Sequence, residues 1–157
     1  MKRLLVYALI LALVWVIPVE RLDVAQLRPV EVIAVYKENG QVRLATDTED
    51  MGIGVDAASA LENMRQTSPA VIYLDTAEYL LIAPGAEEEA EFLRSQLKDS
   101  VKLCGAFPSV NIKEAAKYLP VHGNLPRMKQ WQPGVALPIL TEENGRMKML
   151  KNNEKTP

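Results

Sequence analysis

From Leu4 to Val19 the chain carries sixteen consecutive residues without a charge or a strongly polar group, and Lys2 and Arg3 precede them. A basic pair followed by such a run directs a chain to a membrane with its basic end left in the cytoplasm. Sixteen residues give roughly 24 Å of helix against a hydrocarbon core of roughly 30 Å. Snorkelling of Lys2 and Arg3 and interfacial placement of Tyr7 and Trp15 reduce that shortfall. Val16, Ile17, Pro18, Val19, Glu20 and Arg21 offer signal peptidase no small residues, so the run is expected to stay as an anchor, with Leu4, Leu9, Leu13 and Ile17 in lipid. Removal as a signal peptide is the competing expectation. In either case everything after about Glu20 is expected outside the cytoplasm.

Beyond the anchor (1–20) and a juxtamembrane linker (21–29) the pattern changes to short apolar runs punctuated by turn residues. Val30 to Tyr36 and Gln41 to Thr46 flank Glu38-Asn39-Gly40, the strongest short-range hairpin signal. Asp47 to Gly54 reads as a loop. Asp56 is a candidate N-cap for a helix through Thr67, with Ala57, Leu61 and Met64 on one face. Ala70 to Leu74 and Tyr79 to Ile82 read as strands joined by a turn at Asp75 to Glu78. A Glu-rich helix follows Pro84-Gly85, with Ala86, Ala90, Leu93 and Leu97 at helical spacing and Glu87, Glu88, Glu89 and Glu91 at its positive end.

Val101 to Phe107 is the next strand, and Asn111 caps a helix from Ile112 to Leu119 that Pro120 is expected to stop. After an irregular stretch to Gly134, Val135 to Thr141 and Arg146 to Leu150 form a second hairpin, and 151–157 is a polar tail. The predicted fold is α/β (α+β): one extracytoplasmic domain over 30–150, with a mixed β-sheet, two hairpins and about three helices.

Composition narrows the function classes. A formal net charge of −2 and scattered basic residues give no phosphate-tracking surface, so nucleic acid is not an expected partner. A single cysteine, Cys104, excludes an intrachain disulfide. Its strand-like context reads as a buried thiol, and the lone histidine, His122, sits in a proline-flanked segment without a sequence partner. A Cys104–His122 thiol enzyme is therefore the rival reading rather than the leading one. Asp47, Glu49 and Asp50 lack the register of a calcium loop, and Gly52-Ile53-Gly54 lacks the third glycine of a phosphate loop. No metal or cofactor is expected. Trp131, in a proline-rich loop between Gln130 and Gln132, is the candidate partner-contact residue, with Tyr79 as a second.

The order of elements from Leu22 to Leu150 resembles the N-terminal domain of Ger(x)C spore germination proteins, the lipoprotein C subunits of germinant receptors. The resemblance runs through Arg21-Leu22-Asp23, the Glu38-Asn39-Gly40 hairpin, Gly52-Ile53-Gly54 and the helix with Ala57-Ala58-Ser59-Ala60-Leu61. It continues through Val71-Ile72-Tyr73-Leu74, Tyr79-Leu80-Leu81-Ile82, the Glu-rich helix, and the segments Val101 to Ala106 and Ile112 to Leu119. It rests on the succession of elements and not on a signature motif. Family members carry a lipobox cysteine and further domains. Here no cysteine precedes Cys104 and the sequence ends at Pro157, so a protein anchor carrying a single domain is expected. The resemblance implies a non-catalytic module that contacts other membrane proteins of a receptor-like complex through a sheet edge or the Trp131 loop. A small secreted peptide- or wall-binding protein is the third reading.

Overall fold

Asn39 and Gly40 sit at φ +51° and +76°, and Asn144 and Gly145 at +52° and +72°. Both Asn-Gly pairs therefore close two-residue hairpins of the primed type, whose twist matches that of the strands they join. The computed structural model describes residues 27–122 and 124–150. The expected anchor with Leu4, Leu9, Leu13 and Ile17, most of the linker and the 151–157 tail lie outside the described residues. Among the described residues no helix is long and apolar enough to cross a membrane.

The architecture is α+β: a mixed sheet with three helices against it. Its strands are β2 (Val32–Glu38), β3 (Gln41–Thr46), β4 (Met51–Gly54), β6 (Tyr79–Ile82), β7 (Lys102–Ala106), β8 (Ile139–Glu143) and β9 (Arg146–Leu150), in the spatial order β4-β3-β2-β6-β7-β8-β9. Neighbours among β2, β6, β7 and β8 run parallel, while the β2–β3–β4 meander and the β8–β9 hairpin are antiparallel. Helices α1 (Ala57–Thr67) and α2 (Glu87–Leu93) cover one face, and α3 (Ile112–His122) covers the other. Coverage on both faces explains why Val32 to Tyr36 are buried without alternation. Ile33, Val35, Leu80, Ile82 and Leu103 point into the α1/α2 core, and Val32, Ala34, Leu81, Cys104 and Leu140 into the α3 core.

Several elements differ from the sequence-based expectation, among them the last hairpin, whose first strand is Ile139–Glu143 and not Val135 to Thr141. Leu27–Pro29, expected in the linker, forms a short strand β1 parallel to β5 (Val71–Tyr73), so the run Ala70 to Leu74 supplies a separate two-stranded sheet and not a strand of the main one. The turn after it is a 3-10 helix over Leu74–Thr76. Thr76 Oγ1 there accepts from Val30 N–H at 3.0 Å and donates to the Tyr73 carbonyl at 2.9 Å. The expected loop Asp47 to Gly54 ends in strand β4, because α1 packs directly upon it. A Cβ on Gly52 would lie 2.0 Å from the Ala60 carbonyl oxygen, and one on Gly54 2.3 Å from the Ala60 nitrogen. The glycines permit helix contact, which local pattern reads as a turn.

The Glu-rich helix is shorter than its apolar spacing predicts. After Leu93 the bonds tighten to three-residue turns, Ser95 N–H to Phe92 O at 3.2 Å and Gln96 N–H to Leu93 O at 2.9 Å, and Ser95 Oγ also donates to Phe92 O. Conversely, α3 does not stop at Pro120 but includes it and ends at His122. A proline in the last turn forfeits only its own bond to the carbonyl four residues back, which lies at a partly exposed position. At the start of α1, Asp56 and Ser59 form a reciprocal capping box as expected of the N-cap.

Gly52→Ala is expected to cost at least about 2 kcal/mol by overpacking α1 against β4. Gly40→Ala, with open space but a positive φ, is expected to cost about 1 kcal/mol. Urea unfolding of the two variants measures the difference, and equal losses would show that α1 does not approach β4 this closely.

Candidate functional site

The hairpin register places Tyr36 opposite Arg43 and Ala34 opposite Ala45 on the α3 side of the sheet. The helix covers β2 but leaves part of β3 and β4 open. The space between them is a cleft of about 290 Å³, lined by Tyr36, Glu38, Arg43 and Ala45 from the hairpin, Thr46 to Met51 in part, and Pro108 to Lys113 at the entry of α3. Its walls are apolar where Met51, Pro108, Val110 and Ile112 contribute, with polar groups distributed around them. Charged and polar side chains outnumber the apolar ones around it, with Glu38, Glu49 and Asp50 set against Arg43 and Lys113.

Asp47, Glu49 and Asp50 are committed to partners within the fold, whereas Glu38, which also lines the cleft, makes no ion pair among the described residues. Asp47 Oδ1 accepts from the Glu31 and Val32 N–H groups at 3.1 and 3.0 Å. Asp50, buried, accepts from Thr48 Oγ1 at 2.7 Å, Ser68 Oγ at 2.8 Å and Arg28 Nη1 at 3.3 Å. Burial alone would raise its carboxyl. The hydrogen bonds from Thr48 and Ser68, with the Arg28 guanidinium, outweigh burial and hold it below the usual carboxylate range. Glu49, in a left-handed conformation at φ +68°, pairs with Lys113 across the cleft. The three carboxylates thus face separate partners, and among the described residues no group of His, Cys, Asp and Glu is placed to hold a metal ion.

Tyr36 and Arg43 are different in kind. The Tyr36 side chain is 4 % exposed, and its hydroxyl is sealed from solvent without a hydrogen-bond partner. Burial pushes it up to about 12, with Arg43 acting in the opposite sense and Glu38 reinforcing the rise. Arg43 is exposed and makes no ion pair among the described residues. At the entry of α3, Asn111 Oδ1 accepts from the Lys113 and Glu114 N–H groups at 3.0 and 3.3 Å, as expected of its N-cap role.

Neither residue expected at a contact surface is there. Trp131 is 1 % exposed and its Nε1 donates to the Val135 carbonyl at 3.3 Å. The 3-10 turn Met128–Gln130 directs Met128 and Trp131 to the same side, into the α1/α2 core. Tyr79 is 2 % exposed in the α3 core, with Lys102 Nζ 3.4 Å from its hydroxyl and 5.1 Å from its ring centre. Cys104 is fully buried, as its strand context predicts. Its Sγ lies 3.1 Å from Pro138 O and 3.6 Å from Met149 Sδ, and burial pushes the thiol up to about 12. His122 is exposed at the end of α3, stacked on Tyr118 at 4.0 Å, and is not among the contacts of Cys104. A nucleophilic thiol needs the opposite environment.

The two ends of the sheet are unequal. At β4 the outward Ile53 N–H donates to Asn63 Oδ1 at 3.0 Å and Met51 O accepts from Thr67 Oγ1 at 3.4 Å, so α1 occupies that edge. At β9 the closing pair Glu143–Arg146 sets Met147 and Met149 in the non-hydrogen-bonded positions opposite Glu142 and Leu140, leaving their N–H and C=O groups directed away from β8. Comparison with family models, with curated proteins and with solved structures finds no match to this chain.

Asp50→Asn is expected to cost about 1–3 kcal/mol by leaving Arg28 and the hydroxyl donors with a weaker acceptor. Because the folded carboxyl titrates below its unfolded value of about 3.9, the unfolded state binds more protons in that window. The Asp50 contribution is therefore complete above about pH 4 and lost as pH falls through the folded value. Acid unfolding followed by circular dichroism should show a shallower pH dependence in the variant. Cys104 should react with a maleimide at pH 7 only when the chain is unfolded, and rapid labelling of the folded protein would contradict its burial.

Proposed function

We propose that the chain is a membrane-anchored, non-catalytic extracytoplasmic module that acts by protein–protein contact, in the manner implied by its resemblance to the N-terminal domain of Ger(x)C proteins. The run Leu4 to Val19 behind Lys2 and Arg3 supports the anchor and its orientation. The observation that carries the contact reading is the asymmetry of the sheet: among the described residues one edge is occupied by α1, and no strand or helix lies along the other, β9. An open edge accepts an added strand through its main-chain groups. Exposed Arg146 and Lys148 on that strand oppose self-pairing and favour a partner strand bearing acidic residues. The partner is accordingly a strand of another protein of the same membrane, and the buried Trp131 and Tyr79 have no part in the contact.

Two measurements test this reading on the full chain. A periplasm-type reporter fused after Pro157 should be active, whereas activity confined to a cytoplasmic reporter would overturn the orientation. Photo-crosslinking from position 148 in native membranes should yield adducts with another membrane protein. Met147→Pro, which removes an outward N–H at an edge position together with the Met147 contact on the α3 core, should abolish them, lowering the thermal midpoint but leaving the circular dichroism spectrum at the assay temperature native. Adducts that are absent from the wild type, or that survive in the variant, would overturn the edge contact.

A further inference from the structure

The small sheet of β1 and β5 sorts its residues cleanly between two faces. Its parallel register sets Leu27 beside Val71, Arg28 beside Ile72 and Pro29 beside Tyr73. Arg28 and Ile72 turn inward, the first to Asp50 and the second into the α1/α2 core. The outer face is therefore Leu27, Pro29, Val71 and Tyr73, with Val71 44 % and Tyr73 40 % exposed. None of the four carries a charge. Apolar residues gathered on one face mark a contact surface, whereas the same residues scattered singly do not. Beside Pro29 the surface turns acidic, where exposed Glu31, Asp75 and Glu78 are set against Lys98 around a shallow depression.

What covers this face follows from where the chain enters it. The seven residues 20–26 are all that separate the expected anchor from Leu27, and a segment of that length spans at most about 25 Å. We propose that the outer face of the β1–β5 sheet docks on the bilayer in which the anchor is held, with Leu27, Pro29 and Val71 entering the interface and Tyr73 at the headgroup level that its amphipathic ring favours. The inference rests on the anchor proposed above and is independent of the β9 contact. So short a tether keeps the face near the surface at an effective concentration of order mM, so that four side chains suffice for a contact that an untethered domain would not hold. The acidic rim selects a zwitterionic lipid surface, because anionic headgroups would meet Glu31, Asp75 and Glu78 at like charge.

The test uses the full chain with Val71→Cys, labelled with an environment-sensitive nitrobenzoxadiazole maleimide and reconstituted in phosphatidylcholine vesicles. Cys104 is buried and escapes the label. Emission from position 71 is expected to shift to the blue relative to the same label on Lys148→Cys in β9, and to be quenched by lipids spin-labelled near the headgroup. Tyr73→Asp, a charge at an exposed position of the face, should abolish both signals with the circular dichroism spectrum unchanged, and Tyr73→Trp should keep them. Adding phosphatidylglycerol should weaken the quenching. An unshifted label on a chain that floats with the vesicles overturns the docking and leaves the anchor standing. A chain that does not float overturns the anchor, and the docking with it. A shift that the lipid spin labels do not quench places residues of this chain or of a second copy on the face, and so overturns the proposal. Signals that persist in Tyr73→Asp, or that strengthen with phosphatidylglycerol, do the same.

Discussion

The close approach of α1 to β4 is the constraint from which the rest of the molecule follows. Helix and strand touch because Gly52 and Gly54 carry no Cβ where Ala60 and Met64 stand. The contact buries Ala57, Ala60, Leu61 and Met64 against the sheet. It also brings Asn63 and Thr67 over the outward groups of β4, which closes one edge of the sheet. Ser68, at the C-terminal end of the same helix, is thereby held within 2.8 Å of Asp50, and Asp50 in turn receives Arg28 from β1. A single steric allowance thus fixes the helix, the edge and the attachment of the small β1–β5 sheet.

The buried Asp50 cluster is valuable for what it positions more than for net energy. A half-buried ion pair gains little once desolvation is counted, but three donors converging on one carboxylate leave the 46–50 turn a single arrangement. Thr46 Oγ1 accepts from Asp50 N–H at 3.1 Å and Thr46 N–H donates to Asp50 O at 3.0 Å, which locks the turn from both sides. Glu49 is then presented in its left-handed conformation toward Lys113. The wall of the cleft opposite α3 is consequently built from a turn held by several hydrogen bonds.

Sequence reading reached the parts of this arrangement that depend on local rules. The two Asn-Gly hairpins, the Asp56 cap, the Asn111 cap and the buried Cys104 follow from turn chemistry, capping and residue type. Once the Asn39-Gly40 turn is accepted, counting outward from it pairs Tyr36 with Arg43, so that half of the cleft was within reach of the sequence. What escaped is tertiary. Glycines in β4 signal a helix overhead only when the helix is known to be there, and polar Gln130 and Gln132 give no hint that a 3-10 turn rotates Trp131 inward. The length of α2 was set by tight turns that bring Leu97 and Val101 into the core, against a spacing that read as a longer helix.

The open edge gains its meaning from what lies behind it. A strand that is to template another must lose little freedom in doing so, and β9 is supported on its inner face by Met147 and Met149 packed on the α3 core. Met149 Sδ sits 3.6 Å from Cys104 Sγ, which itself contacts the Pro138 carbonyl at the entry to β8. The polarizable sulfurs fill the space between β7 and the edge strand without needing a polar partner. Cys104 is thus better understood as a packing residue that stiffens the sheet at its free end than as a thiol held in reserve. The same burial that raises its pKa removes it from solution chemistry and gives β9 a packed back, while its outer side is unpaired among the described residues.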